Sequence, residues 1–141
     1  MNPKQLRASC LNCGLPVNTC VAKYCSSACQ QVYQYKKWIE QWKLGLVDGG
    51  VSNNMSVSNY VRRWLIETGG YKCSICGITQ WCGQPVPLIV DHIDGNAHRT
   101  VFGNVRLVCG NCNMQLPTFA GRNRGHGRLI RRTMRKCGKW T

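Results

Sequence analysis

Acidic residues are scarce in this chain. Of its 141 residues only 5 are Asp or Glu, against 19 Lys or Arg, so the formal net charge at pH 7 is +14. Charged residues make up 17% of the sequence, below the roughly 25% of ordinary globular proteins. The imbalance therefore reflects missing acids as much as added bases, and it indicates a polyanionic partner.

Long apolar runs are missing as well. The longest candidate, residues 88–90, is interrupted at once by Asp91 and His92, far short of the roughly 18 apolar residues of a membrane span. No apolar run that could act as a secretory signal follows Met1. A chain of this length can form one ordinary domain or two small ones. We therefore expect a soluble, cytoplasmic protein without a membrane partner.

Cysteine, in contrast, is abundant, with 11 residues. Such a density means either a disulfide framework or metal sites, and the odd count without a secretion signal favours metal. Two thiolates in a tight turn can reach one tetrahedral Zn²⁺, and two such pairs close a structural site. Four close pairs therefore predict two zinc sites, formed by Cys10, Cys13, Cys25, Cys29 and by Cys73, Cys76, Cys109, Cys112. The remaining three are interpreted as spare thiols: Cys20, Cys82 and Cys137.

Residues 1–46 have the pattern of a zinc finger followed by a helix. The second cysteine pair stands at a helix start, where Ser27 and Gln30 have the spacing of a capping box. A knuckle followed by a helix that donates ligands from its first turn is a treble-clef-like finger. Apolar residues then recur at helical spacing: Val32, Tyr35, Ile39 and Trp42. We expect the aromatic residues of this helix to pack against the finger rather than to stack on bases: Tyr33, Tyr35, Trp38 and Trp42.

Residues 47–57 are rich in Gly, Asn and Ser and are predicted to be a linker. A second domain is predicted over residues 58–120. It contains a helix from about Ser58, the second knuckle, strands near residues 88–93 and 105–108, and a short helix that Pro117 should end. The expected fold class is a small, zinc-stabilised α+β protein.

The tail, residues 121–141, carries eight Arg and Lys and no acid. Such a block is either a solvated tail or a polyanion-binding arm, and the lack of an acidic partner nearby favours the arm. Four further arginines should help to neutralise phosphate: Arg62, Arg63, Arg99 and Arg106. The predicted DNA contacts of the tail are Arg122, Arg124, His126, Arg128, Arg131 and Arg132.

Two of the five acids, Asp91 and Asp94, flank His92. Neighbouring residues on a helix diverge by about 100°, so Cys112 can face the structural zinc while Asn113 faces a separate site opposite Asp91. Carboxylate and amide oxygens suit a hard cation such as Mg²⁺. Histidine, with an ordinary pKa of about 6.5, suits a general base at neutral pH. Asp94 is expected to cap the turn that follows it.

From Cys73 to Asn113 the chain contains Cys-x2-Cys, Asp-His, Asn and Cys-x2-Cys-Asn, in that order. This ordered set resembles the HNH endonucleases, which have a ββα-metal fold, and above all the small zinc-finger enzymes of bacteriophages, many of which are homing endonucleases. The N-terminal knuckle resembles the finger that often precedes that domain. Residues 122–128 resemble the basic segment that often follows it.

The resemblance implies a role for each matching residue. His92 falls on the general base, Asp91 on a metal ligand, and Asn104 on the residue that orders the loop and orients the base. Asn113 falls on a position that is normally a histidine ligand, which makes this an H-N-N variant and favours Mg²⁺ or Mn²⁺ there. The implied activity is nicking or cleavage of double-stranded DNA, with 5′-phosphate and 3′-hydroxyl ends, and we expect a monomer.

Two other functions fit the same features. The chain could be a non-catalytic zinc-finger protein with a DNA-binding or regulatory role, in which the HNH site has decayed. Asn113 is the residue that suggests this decay. A weaker alternative is a zinc protein that binds RNA, since basic charge alone does not distinguish the two polymers. Metal-dependent nicking of supercoiled plasmid would separate the enzyme from both.

Overall fold

A computed structural model describes residues 8–19, 21–51 and 56–122. The chain divides into two units, Met1–Gln41 and Trp42–Thr141. The division falls inside the helix that ends the predicted finger domain, residues 1–46. Several residues named above lie outside the described ones: Cys20, Arg124, His126, Arg128, Arg131, Arg132 and Cys137.

The first unit opens with a knuckle that backbone hydrogen bonds close. The amide of Cys10 donates to the carbonyl of Leu15 at 2.8 Å, and the amide of Gly14 donates to the carbonyl of Cys10 at 2.9 Å. Gly14 has a φ of +75°, a left-handed conformation that glycine adopts without steric cost. The turn therefore brings Cys10 and Cys13 to the same side.

Helix α1 spans Ser27–Lys43. Its N-terminal cap is Ser26, whose Oγ accepts a hydrogen bond from the amide of Cys29 at 3.2 Å. The predicted capping box of Ser27 and Gln30 is therefore placed one residue too late. Two adjacent serines offer the same capping chemistry, and the sequence alone does not decide between them. The predicted apolar face is confirmed at its centre, since Tyr35 and Ile39 are both buried.

The second unit contains a short antiparallel pair, β1 (Gly50–Val51) and β2 (Ser56–Val57), inside the stretch predicted to be a linker. Helix α2 follows over Asn59–Gly69. The Oγ of Ser58 accepts a hydrogen bond from the amide of Tyr60 at 3.2 Å, which confirms the predicted start of this helix.

The rest of the second unit is a hairpin and a strand–strand–helix motif. The hairpin pairs β3 (Gln80–Trp81) with β4 (Gln84–Pro85). Strand β5 (Leu88–His92) then pairs antiparallel with β6 (Val105–Cys109). Helix α3 (Gly110–Gln115) follows β6 without a loop, packs against both strands and ends before Pro117. The described chain finishes in a 3-10 turn, Ala120–Arg122, and the predicted α+β class is confirmed.

Two apolar clusters hold the second unit together. One lies between α2 and the strand pair, and its buried members are Cys73, Val86, Leu88, Leu107, Val108 and Cys109. The other is a triad of aromatic rings, Trp42, Trp64 and Phe102, whose centroids lie 5.3–5.5 Å apart. Such edge contacts add stability beyond the area that they bury. Among the described residues, no helix is long and apolar enough to cross a membrane.

Leu107→Ala should destabilise the zinc-loaded protein by about 2–5 kcal/mol, because it leaves a cavity in the first cluster. Leu107 is 4% exposed, whereas Ile89 on the paired strand is 42% exposed. Ile89→Ala is the matched control, with an expected loss below about 1 kcal/mol. Urea unfolding at saturating zinc measures both, and equal losses would contradict the assignment of the core.

Candidate functional site

The first tetracysteine cluster joins the N-terminal knuckle to the start of α1. Its ligand atoms, from Cys10, Cys13, Cys25 and Cys29, all lie within 4.8 Å of one another. Three sulfur–sulfur distances are 3.4, 3.6 and 3.7 Å. Thiolates at about 2.3 Å from a tetrahedral Zn²⁺ would be about 3.8 Å apart. The cluster could therefore hold a structural zinc ion, and the predicted grouping is confirmed.

The second tetracysteine cluster joins three elements of the second unit. Cys73 and Cys76 follow α2, Cys109 ends β6, and Cys112 lies in the first turn of α3. The sulfur atoms of Cys76 and Cys109 are 3.7 Å apart, again close to the spacing around tetrahedral zinc. This cluster could also hold zinc. Cys82 lies in the exposed turn between β3 and β4 and belongs to neither group.

The thiols of the two clusters differ in pKa. Removal from water raises the pKa of Cys10, but hydrogen bonds from the backbone of Cys13, Cys25 and Asn12 outweigh it and lower that pKa to about 6. Cys73 shows the same balance, again with a pKa of about 6, because neighbouring backbone amides stabilise its thiolate. In contrast, hydrogen bonds with neighbouring thiols, above all those of Cys29 and Cys76, raise the pKa of Cys25 and of Cys112 to about 12. Metal binding requires thiolates, so zinc would have to displace the protons that remain on such thiols.

Asp91 lies near the end of β5 and forms an ion pair across the strands. Its register partner is Arg106 on β6, whose Nε donates to Oδ2 of Asp91 at 2.9 Å. The Asp91 side chain is 10% exposed. The ion pair engages Oδ2, and the carboxylate has a second oxygen with which it could bind a cation. Sequence reasoning missed this pairing, because it follows only from the strand register.

All four arginines outside the tail that were expected to neutralise phosphate have partners within the chain. Arg63 pairs with Glu67 at 2.7 Å and Arg99 with Asp94 at 2.8 Å. Nη1 of Arg62 donates to the carbonyl of Leu88 at 2.9 Å, and Arg106 pairs with Asp91. Arg122, the described arginine of the tail, likewise donates to the carbonyls of Leu116 and Met114, at 3.2 and 2.9 Å.

His92 is the last residue of β5 and is partly buried. Its Nε2 lies 2.9 Å from Oγ1 of Thr100. Burial lowers the pKa of His92 below its ordinary value, although the carboxylates of Asp94, Asp91 and Asp48 act in the opposite direction. Burial thus favours the neutral ring, in which one nitrogen can accept a proton.

Asn104 closes the loop between β5 and β6. Its Oδ1 accepts from the amide of Asp94 at 3.2 Å, while its Nδ2 donates to Oδ1 of Asp94 at 3.0 Å and to the carbonyl of Arg99 at 2.7 Å. Asp94 also accepts from the amide of Asn96 at 2.8 Å, which is the expected turn cap. One amide side chain thus ties both ends of the loop next to His92.

Asn113 is partly buried on α3, directly after Cys112 of the second tetracysteine cluster. Because α3 packs against β5 and β6, the helix that carries Asn113 lies beside the strand that carries Asp91 and His92. Asp91, His92 and Asn104 belong to the same end of the strand pair, since the first two end β5 and Asn104 directly precedes β6. The arrangement offers a carboxylate, a neutral imidazole and an ordered loop.

Metal analysis of the purified chain should find two zinc ions per molecule. Cys76→Ser should lower the content to one, because it removes a ligand of the second cluster. Cys82→Ser is the matched control, since Cys82 lies outside both groups, and it should keep both ions. Two ions retained in Cys76→Ser would contradict the assigned ligands.

More than half of this chain is similar in sequence to a known phage protein. The chain is 36% identical over 88 residues to the H-N-H endonuclease F-TflIV of Escherichia phage T5. The similarity covers 60% of this chain and 38% of the phage protein, so the chain spans less than two-fifths of that relative. No family model and no solved structure match this chain. The similarity, together with the two tetracysteine clusters, confirms the predicted resemblance to the HNH endonucleases.

Proposed function

We propose that this chain is a metal-dependent endonuclease of the HNH type, with Asn113 at the last motif position, and that it hydrolyses phosphodiester bonds of double-stranded DNA. One observation carries the proposal. A partly buried His92 follows Asp91 at the end of β5, next to a loop that Asn104 ties down. Similarity to a phage H-N-H endonuclease supports it.

The residues that we assign to a metal site with His92 would suit a hard divalent cation. Asp91 has a carboxylate oxygen beyond the one that Arg106 engages, and Asn113 offers an amide oxygen. Such oxygen donors favour Mg²⁺ or Mn²⁺. When bound, the cation would stabilise negative charge on the phosphate and on the departing 3′ oxygen.

The catalytic step assigned to His92 is proton removal. A neutral ring nitrogen accepts the proton of the water that attacks phosphorus, and burial keeps the ring in that neutral form. Asn104 acts indirectly, because it fixes the loop that follows His92. Arg106 holds the Asp91 carboxylate in place through their ion pair. The expected products carry 5′-phosphate and 3′-hydroxyl ends.

The charge of the chain supports a nucleic-acid substrate. Two four-thiolate zinc sites of about −2 each would leave a net charge of about +10, which is still strongly basic. Binding should therefore weaken steeply with salt. The proposed contacts are those of the tail, beginning at Arg122. We propose that the chain acts as a monomer, and that it is a homing-type phage enzyme working in the host cytoplasm.

A second function is favoured by one specific contact. The Arg106 guanidinium already neutralises the Asp91 carboxylate, which weakens the attraction of that carboxylate for a cation. Asn113 replaces a stronger imidazole ligand. Both features fit a DNA-binding or regulatory zinc protein that has lost its catalytic metal.

His92→Ala should lower metal-dependent nicking of supercoiled plasmid by at least about a hundredfold, because general-base catalysis contributes about 10²–10⁴-fold. His98→Ala is the matched control. His98 is exposed in the same loop, and the hydrogen bond from its backbone amide to Asn96 is kept in the variant, so the activity should stay within about twofold of the wild type. Relaxation of the plasmid is followed on gels with Mg²⁺ or Mn²⁺.

A different result would select the second function. Retarded plasmid with no nicking, in either divalent ion, would identify a DNA-binding protein and reject the enzyme. Equal nicking by the wild type and His92→Ala would show that another residue is the base. Sequencing the ends of a cleaved substrate tests for the expected 5′-phosphate.

Asn113→His should widen the range of metals that support nicking, because imidazole binds Zn²⁺ and Ni²⁺ better than an amide oxygen does. Asn113→Ala, the matched control, should lower nicking in Mg²⁺ and gain nothing with the softer ions. Rates measured across Mg²⁺, Mn²⁺, Ni²⁺ and Zn²⁺ give the comparison. Identical metal profiles for the three proteins would remove Asn113 from the metal site.

A further inference from the structure

Thr100 presents a buried hydroxyl to His92. Thr100 is 1% exposed, and it is a polar residue in a set of buried residues that is otherwise hydrophobic in the described part of the chain. Oγ1 of Thr100 lies 2.9 Å from Nε2 of His92, which is an ordinary hydrogen-bond distance. Thr100 belongs to none of the motifs that resemble the HNH endonucleases, and the sequence gives no signal for it.

The backbone of Thr100 is held by two donors. Its carbonyl accepts from the amide of Gly49 at 2.8 Å and from Nε1 of Trp42 at 2.7 Å. Gly49 lies so close that a Cβ at this position would be 2.7 Å from that carbonyl and 2.6 Å from Cγ2 of Val61. Trp42 is itself fully buried. Thr100 therefore has little freedom, and its hydroxyl reaches His92 from a fixed place.

We propose that Thr100 is a positioning residue for the base, whose hydroxyl accepts a hydrogen bond from Nε2–H of His92 and so leaves Nδ1 as the nitrogen that takes the proton. This inference rests on the proposed function. It adds the residue that selects the tautomer and the orientation of the ring.

The direction of this hydrogen bond follows from what a base must do. A neutral imidazole carries one N–H, and its other nitrogen has the lone pair. If the hydroxyl donated to Nε2, the ring proton would be on Nδ1 and the hydroxyl would occupy the lone pair of Nε2. Neither nitrogen would then be open to a proton from the attacking water. If the hydroxyl accepts, Nδ1 is available. The same hydrogen bond also persists after protonation, because both nitrogens of the imidazolium are donors.

The first test compares rates. Thr100→Val removes the hydroxyl but keeps the shape, and kcat for plasmid nicking should fall about ten- to a hundredfold through misorientation of the base. KM for the plasmid should stay within about twofold, since Thr100 does not reach the substrate. Thr100→Ser keeps the hydroxyl and should recover most of the loss.

A matched control separates this role from a general effect of the substitution. Thr68 donates its hydroxyl to the carbonyl of Trp64 within α2, and Thr68→Val should leave kcat unchanged. Thermal unfolding of each zinc-loaded protein checks that it is folded. An unchanged kcat in Thr100→Val, beside an inactive His92→Ala, would overturn the inference and leave the proposed function standing.

The second test observes the ring directly and does not depend on activity. Nitrogen NMR of the full zinc-loaded chain at pH 8, with His92→Ala to assign the signals, should show the Nε2–H tautomer. The ring proton should be protected from exchange, and Thr100→Val should abolish that protection. An Nδ1–H tautomer in the wild type would overturn the inference, even if Thr100→Val fails to fold.

The two proposals fail in different ways. A wild-type chain that nicks no DNA in either metal overturns the proposed function, and the catalytic role of Thr100 fails with it. Active wild type together with an Nδ1–H ring overturns only the inference. Active wild type, an Nε2–H ring and rescue by Thr100→Ser support both.

Discussion

The second tetracysteine cluster is the constraint on which the rest of the second unit depends. It fixes the knuckle after α2, the end of β6 and the first turn of α3 to one point. Since α3 follows β6 without a loop, the cluster sets where Asn113 stands relative to the strand pair. The apolar core nearby is small, and Cys73 and Cys109 are themselves part of it. A metal ion would thus supply folding free energy that the buried surface alone does not provide.

Acids are rare in this chain, and each described one near the site has a defined task. Asp91 pairs with Arg106 across the strands, and Asp94 caps a turn while it binds Asn104 and Arg99. Asp48 accepts from the amide of Gly50 at 2.7 Å. All three carboxylates act on His92 electrostatically. The negative charge is therefore concentrated around one imidazole, and the remaining surface is left basic.

Sequence reasoning predicted the features that local spacing determines. Cysteine pairs have a fixed reach, so both clusters followed from counting, while strands β5 and β6 and helix α3 followed from apolar runs and from Pro117. Contacts across the fold could not be read in this way. The pairing of Arg106 with Asp91 depends on strand register, and Thr100 reaches His92 only because Gly49 and Trp42 hold its carbonyl. An ordinary threonine in a polar loop carries no mark of burial.

The loop from Ile93 to Asn104 also limits how this fold can change in length. Both ends of it are tied, by the amide of Ile93 to the carbonyl of Asn104 and by the side chains of Asp94 and Asn104. Thr100 must still reach His92 from within it. The turn at Cys82 and Gly83 has no such ties among the described residues, and it is exposed. Natural insertions, and any label or fusion added by an experimenter, should accordingly be accommodated at that hairpin and rejected in the loop.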